Sequence, residues 1–281
     1  MALTQAEKAR RFAALHRREG AFVIPNPWDA GTARILAGLG FEALTTTSAG
    51  LAFTLGRRDG EGSLTRAETL ANAKAIVDAT DLPVAADLEN GYGASPEAAA
   101  ETIRLAADAG LVGGSIEDAT GDARRPIYEL AHAVERVAAA VEAARALPFP
   151  FMLVARAENF VRGRPDLDDT IRRLRAFEAA GADVLYAPAL TTADQIRTVC
   201  AAVTRPVNVV MGFRGEPLSV ADLAALGVKR ISVGAALART ALGAFVRAAQ
   251  EIRDSGTFRF AVEAISYADA NALAGGGGPV S

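Results

Sequence analysis

The side chains that carry much covalent and metal chemistry are scarce in this chain, which has two histidines, one cysteine and three lysines. The lone Cys200 excludes an internal disulfide and fits a reducing compartment. It falls near the end of a helix-patterned stretch among apolar neighbours and reads as a packing residue. His16 and His132 both lie inside helical stretches, so an imidazole-rich zinc or iron site lacks its ligands. Lys8, Lys74 and Lys229 sit on two helices and at the entrance of a strand, so a Schiff-base mechanism has no amine. No apolar run reaches the ~18 residues of a membrane span. Residues 1–19 are polar and helix-like rather than a signal peptide, so the expected setting is the cytoplasm, with no membrane contact. Basic runs are missing too, and a formal net charge of −3 argues against a nucleic-acid surface.

What is present is apolar alternation. With 51% hydrophobic composition over 281 residues, the chain can bury one large core. Thr4 is a possible N-cap for a helix over 4–18. A strand at 21–26 ends at Pro25 and Pro27, and Asp29 caps a helix running to Leu39, closed by Gly40. Strands are then expected at 43–49, 83–89, 113–118, 151–158, 184–189, 206–211 and 230–234. The helices between them are expected from Ser63 through Val77, from Ser95-Pro96, and over 128–147, 166–180, 192–203, 219–226 and 235–255. Eight strand–helix units at roughly 25 to 40 residues each predict a (β/α)8 TIM-type barrel in the α/β class. The expected organisation is one domain over 1–281: an N-terminal helix at 1–20, the barrel at 21–255 and a helical tail at 256–281. The tail, with a helical stretch at 258–274 and a flexible glycine run at 275–278, has no place in the inner ring and must pack outside it or on another subunit.

In such a barrel, residues at the C-terminal strand ends converge on one mouth. Those ends are strongly acidic. Strand two leads through Thr45-Thr46-Thr47-Ser48 into a loop with Asp59 and Glu61; strand three ends in Asp87 and Glu89, strand four in Glu117 and Asp118, strand five in Arg156, Glu158 and Asn159. Asp87 and Glu89 are two apart, which on a strand sends both to one side. Solvated acids at a frayed strand end would be the bland account, but they should then occur at both ends of the strands. Buried carboxylates on one face are costly without a cation between them. Oxygen ligands alone favour a hard ion, and Mg²⁺ (with Mn²⁺ as a substitute) keeping several waters suits the set. Chelated by a 2-oxo acid or enolate, such an ion would stabilise charge developing on oxygen, with Arg156 holding a substrate carboxylate.

The runs Asp87-Leu88-Glu89-Asn90-Gly91-Tyr92-Gly93, Ser115-Ile116-Glu117-Asp118 and Val154-Ala155-Arg156-Ala157-Glu158 resemble motifs of the isocitrate lyase / phosphoenolpyruvate mutase superfamily. Thr47-Ser48-Ala49-Gly50 followed by Leu55-Gly56-Arg57-Arg58-Asp59 is similar to its strand-two loop, and the resemblance runs in order from about residue 20 to 255. It implies that Asp87 is the direct Mg²⁺ ligand, that Asp59, Glu89 and Glu117 hold the ion largely through water, and that the backbone at Thr47 and Ser48, with Asp87 and the side chain of Arg156, binds a 2-oxo acid. Arg156 and Glu117 become the candidate catalytic residues. It also implies a homotetramer (a dimer of dimers) or homodimer in which the extra C-terminal helix is exchanged between subunits.

The departures bear on the reaction. The lyase branch carries a Lys-Lys-Cys-Gly type loop after strand four, whose cysteine is the acid–base group; here Ala119-Thr120-Gly121-Asp122-Ala123-Arg124-Arg125-Pro126 has no thiol. The Asn-containing loop of the mutase branch is absent as well, Thr45 replaces an aromatic residue, and Thr47 replaces a serine. Asn26-Pro27-Trp28-Asp29-Ala30-Gly31 is closest to a less characterised branch. The leading expectation is a Mg²⁺-dependent carbon–carbon lyase on a small 2-hydroxy or 2-oxo acid, by isocitrate- or methylisocitrate-like cleavage or oxaloacetate-like decarboxylation. Either route passes through a metal-held enolate. The alternatives are a phosphonopyruvate mutase or hydrolase, for which Arg214 in Gly212-Phe213-Arg214-Gly215 supplies a cation, and a 2-oxo acid binding protein with little turnover.

Overall fold

The computed structural model describes residues 3–277 apart from Glu61 and Arg214. Eight parallel strands form the expected ring: β1 (Phe22–Ile24), β2 (Leu44–Thr45), β3 (Val84–Asp87), β4 (Gly113–Glu117), β5 (Met152–Arg156), β6 (Val184–Tyr186), β7 (Val207–Val210) and β8 (Arg230–Ser232). Each pairs with the next from β2 to β8, and β8 pairs with β1. The remaining seam, between β1 and β2, is spanned by the Thr45 amide donating to Pro25 O at 3.1 Å. Asn26 adds a side-chain bond to Thr46 O at 2.9 Å.

The helices are α1 (Gln5–Arg17), α2 (Ala30–Gly38), α3 (Ser48–Thr54), α4 (Arg66–Asp78), α5 (Pro96–Asp108), α6 (Leu130–Arg145), α7 (Leu167–Ala179), α8 (Ala193–Ala202), α9 (Val220–Ala225), α10 (Ala236–Ser255) and α11 (Tyr267–Ala274). Their starts follow cap chemistry. Thr4, Asp29, Thr65, Thr192 and Ser219 each close a reciprocal capping box, which satisfies two orphan donors at once.

Strand alternation decides what fills the barrel. Leu44, Val84, Ala86, Ile116 and Leu153 face one bank of helices, and Leu185, Val207, Val209 and Ile231 face the other. Their inward neighbours are smaller or polar: Thr45, Ser115, Val154, Tyr186, Asn208 and Ser232 line an interior cavity rather than a plug of aliphatic side chains. Below the cavity, α1 closes the floor with Phe12, packed with Phe22, Ile24 and Ala85. A Cβ on Gly113 would lie 2.9 Å from the Phe12 ring, so only glycine admits the plug there.

Several expected elements differ. The strand predicted over 43–49 ends at Thr45, because Thr47 is the N-cap of α3 and accepts from the Gly50 amide. The helix expected from Ser63 begins after Thr65, whose capping box with Glu68 sets the start. The tail is not one helix over 258–274. α10 ends at Gly256 with φ 61°, a 3-10 turn follows at Arg259–Val262, and Ser266 caps α11. Glu251 organises the break by accepting from Thr257 Oγ1 and the Arg259 and Phe260 amides. α11 then rests on α2 of its own barrel, where Arg34 Nη1 donates to Ala274 O at 2.8 Å. Gly278 of the expected flexible run lies outside the described residues. Among the described residues no helix is long and apolar enough to cross a membrane.

Candidate metal and substrate site

The strand ends do converge. Two adjoining cavities open at the C-terminal rim, of about 300 and 540 Å³, and share Ser48, Asp59, Arg156 and Val161. The first descends into the barrel beside Asp87, Tyr186 and Asn208. The second holds the acids Asp59, Glu89, Glu117 and Glu158.

Asp87, the last residue of β3, is fixed from several sides. Its amide donates to Thr46 Oγ1 at 3.0 Å, the Ser48 hydroxyl donates to Oδ2 at 2.7 Å, and the Ser48 amide approaches the same oxygen at 3.3 Å. Arg156 Nη1 donates to Oδ1 at 2.9 Å. Arg156 is the hub of the site. Its Nη2 lies 3.0 Å from Glu117 Oε2, and its Nε donates to Glu158 Oε1 at 2.9 Å. Its guanidinium also stands 5.1 Å from the centre of the Tyr186 ring, a cation–π contact. Burial opposes that charge, but Glu158, Glu117 and Asp87 together hold the guanidinium well above its ordinary value.

The remaining acids show the strain of sharing a small space. Glu89 is pushed up to about 8, first by burial and then by the charges of Asp87, Glu117 and Asp59. Glu117 rises to about 7, by burial and by Glu158 beside it, against the pull of Arg156. Asp59 is raised as well, by burial and by Asp87. Among the described residues no three His, Cys, Asp or Glu side chains converge as direct ligands of one ion. An all-oxygen set that repels itself, with its members too spread to chelate directly, fits a hard cation that keeps several waters and touches one or two carboxylates. Mg²⁺ fits those terms.

Several positions depart from the sequence reading. Glu89 does not share a face with Asp87 through strand alternation: β3 stops at Asp87, and Glu89 turns in beyond it at φ 47°. Its amide, 3.3 Å from Asp87 Oδ1, belongs to that turn. Asp118 faces away from the opening. It accepts from the Glu158 amide and pairs with Arg173 on α7, and burial raises it to about 6. Asn159 is turned to Asp169. Arg156 is not left free for a ligand but is already paired with three carboxylates. The Thr47 side chain caps α3, which leaves its backbone for the expected contact with the acid, and Glu61 lies outside the described residues. Cys200 lies on α8, where burial pushes its thiol up to about 11.

Sequence reasoning missed Arg162, which reaches back from the loop after β5 to Glu117 Oε1 at 3.1 Å. It also missed Tyr186, Asn208 and Ser232, although period-two alternation in β6, β7 and β8 marks each as inward-facing.

Comparison with known proteins bears on the family of the whole chain. A phosphoenolpyruvate phosphomutase family model matches residues 12–253. A solved structure from Burkholderia cenocepacia, described as of lyase/mutase type, is 62% identical, covers 95% of each chain and superposes with a TM-score of 0.93. The oxaloacetate decarboxylase of a Bradyrhizobium species is 34% identical over 73% of this chain and 70% of its own. The 2-methylisocitrate lyase of Halalkalibacterium halodurans is 30% identical over 96% of this chain and 93% of its own.

Proposed function

Because the chain belongs to the phosphoenolpyruvate mutase / isocitrate lyase superfamily of lyases and mutases, we propose that it is a Mg²⁺-dependent carbon–carbon lyase for a small 2-hydroxy or 2-oxo acid. The observation that carries this reading is the convergence of Asp59, Asp87, Glu89, Glu117 and Glu158 around Arg156, at the mouth of a cavity of small-molecule size. Asp87 would hold the ion directly, and Asp59, Glu89 and Glu117 would reach it through water. When bound, the ion supplies Lewis-acid stabilisation of negative charge on oxygen.

The protein's own groups do the rest. Ser48, at the start of α3, offers a hydroxyl and a helix N-terminal amide beside Asp87, a position suited to a carboxylate oxygen. With Asp87 engaged in holding the ion, Arg156 Nη1, which donates to Asp87 Oδ1 at 2.9 Å, would be available to a substrate carboxylate. Glu117 positions Arg156, with one oxygen on it and the other on Arg162. In decarboxylation the bond to the leaving carboxylate breaks and CO₂ departs. The bond's electron pair becomes the carbon–carbon double bond of an enolate as the carbonyl pair moves to the 2-oxo oxygen, and the enolate carbon then takes a proton from water. In retro-aldol cleavage a base takes the hydroxyl proton while the same enolate-type charge develops on the departing fragment. Tenfold or greater loss of either step on removing Arg156 is expected from charge stabilisation alone, roughly 1.4 kcal/mol.

The apolar residues Phe245 on α10 and Val262 and Tyr267 beyond it are 70%, 91% and 92% exposed in the single chain. Patches of that kind mark interaction surfaces. They support a homodimer or homotetramer built on this tail.

The test is product formation with Mg²⁺ from a panel of oxaloacetate, 2-methylisocitrate and phosphonopyruvate. Cleavage of a carbon–carbon bond supports the lyase reading. Turnover of phosphonopyruvate alone would replace it with the phosphonate reading; Arg214, the cation expected for that reaction, lies outside the described residues. Saturable binding of a 2-oxo acid with no product from any of them would favour the binding protein.

A further inference from the structure

The first cavity continues below Arg156 to the barrel floor, where it meets Arg230. From sequence this residue is only a charge at the entrance of a strand. In the fold, Ile231 faces the helices while Arg230 and Ser232 face the cavity. Arg230 is 4% exposed, and its Nε and Nη1 are sealed from solvent without an acceptor. Among the described residues no carboxylate pairs with it, and Tyr186 is the titratable group that favours its charge. The Phe12 ring centre lies 5.9 Å from the guanidinium. His16 on α1 is held neutral, brought down to about 3 by burial and by the charge of Arg230 itself. Burial lowers Arg230 only to about 10, so it remains a cation at neutral pH.

A second buried group beside it is also incomplete. Asn208 is the register partner of Arg230 on β7 and lines the same cavity. It is 2% exposed and donates from Nδ2 to Ser232 Oγ at 3.1 Å, which leaves Oδ1 without a donor. A half-turn of that amide would let Oδ1 accept from the Ser232 hydroxyl and turn the NH₂ toward the cavity. Arg230 and Asn208 would then present a fork of donors to one ligand group. A buried cation with no partner is destabilising, and an anion entering the cavity would relieve it.

We propose that Arg230, with Asn208 and Ser232, forms a second anion subsite that takes the distal carboxylate of a dicarboxylic 2-oxo or 2-hydroxy acid. This rests on the lyase reading, in which the first carboxylate meets Arg156 and Ser48. A planar guanidinium matches a carboxylate with two parallel bonds, and its single charge balances a single carboxylate. A dianionic phosphonate would need a further cation at this depth. Arg239, which also lines the cavity, is exposed on α10 and does not reach the floor with a buried charge.

Calorimetry with saturating Mg²⁺ tests the subsite on matched ligand pairs: malate against 2-hydroxybutyrate, and 2-oxoglutarate against 2-oxopentanoate. The parent should bind each dicarboxylate about tenfold or more tighter than its partner. Arg230→Gln should erase that gap by weakening only the dicarboxylates, and Arg230→Lys should retain part of it. Arg230→Met, which keeps the apolar stem, repeats the measurement should the glutamine variant fold poorly. A parent without the gap, or variants that keep it, would overturn the subsite while leaving the lyase reading intact. A parent that binds none of the four acids with Mg²⁺ would overturn both.

Discussion

At the scale of single residues, Arg156 links the acids to the substrate. It pairs with Asp87, Glu117 and Glu158 at 2.9 to 3.0 Å, so one planar group orders three carboxylates. Lysine offers a point charge that cannot span three partners at once. Arg156→Lys is therefore expected to weaken Mg²⁺-dependent 2-oxo acid binding by at least about tenfold, near 1.4 kcal/mol, with a smaller change in Mg²⁺ affinity measured without the acid. It should also lower the melting temperature, because it leaves a buried carboxylate unpaired. Equal binding of pyruvate, oxaloacetate and 2-oxoglutarate by parent and variant would make Arg156 structural. Cys200 supplies the opposite control. Its neutral thiol sits on α8 near Gly227, away from both cavities. Cys200→Ser should keep turnover within a few-fold, with a stability loss of about 1 kcal/mol.

At the scale of elements, strand ends set the pH response. Glu89 is raised from 4.5 to about 8 and Glu117 from 4.5 to about 7. Between the ordinary and raised values the folded chain holds protons that the unfolded chain has released, so stability falls as pH rises. His16 works the other way, lowered from 6.5 to about 3, and most of its contribution is in place by pH 6.5, with only a small opposing remainder above it. The metal-free protein should therefore lose melting temperature from pH 6.5 to 8, by roughly 2 °C or more, and saturating Mg²⁺ should reverse the loss. A flat or rising melting curve in that window would contradict the assigned environment of Glu89 and Glu117.

The same elements mark where sequence was legible. Alternating apolar strands, capped helices and the acids ending β3, β4 and β5 can be read locally, because strand period and cap chemistry act over a few residues. The turning of Glu89 at φ 47°, the loss of Asp118 to Arg173, and the reach of Arg162 back to Glu117 depend on partners 28 to 55 positions away or on backbone that leaves the strand. In the sequence Arg230 is only a charge at the start of β8, and closure of the ring is what makes that strand end part of a cavity.

At the scale of the whole molecule, the barrel is complete on its own, and its tail still presents an apolar surface. If that surface is an interface, Phe245→Glu should reduce the mass in solution by sedimentation while leaving the circular dichroism of the barrel unchanged. An unaltered mass would place the interface elsewhere or show that the chain works alone. The central claim, a cation site that presents a 2-oxo acid to Arg156, is tested most directly by titrating a 2-oxo acid into the parent and into Asp87→Ala, with and without Mg²⁺. The account predicts binding by the parent only with Mg²⁺, and none by the folded variant under either condition. Unchanged Mg²⁺-dependent binding by Asp87→Ala would contradict it.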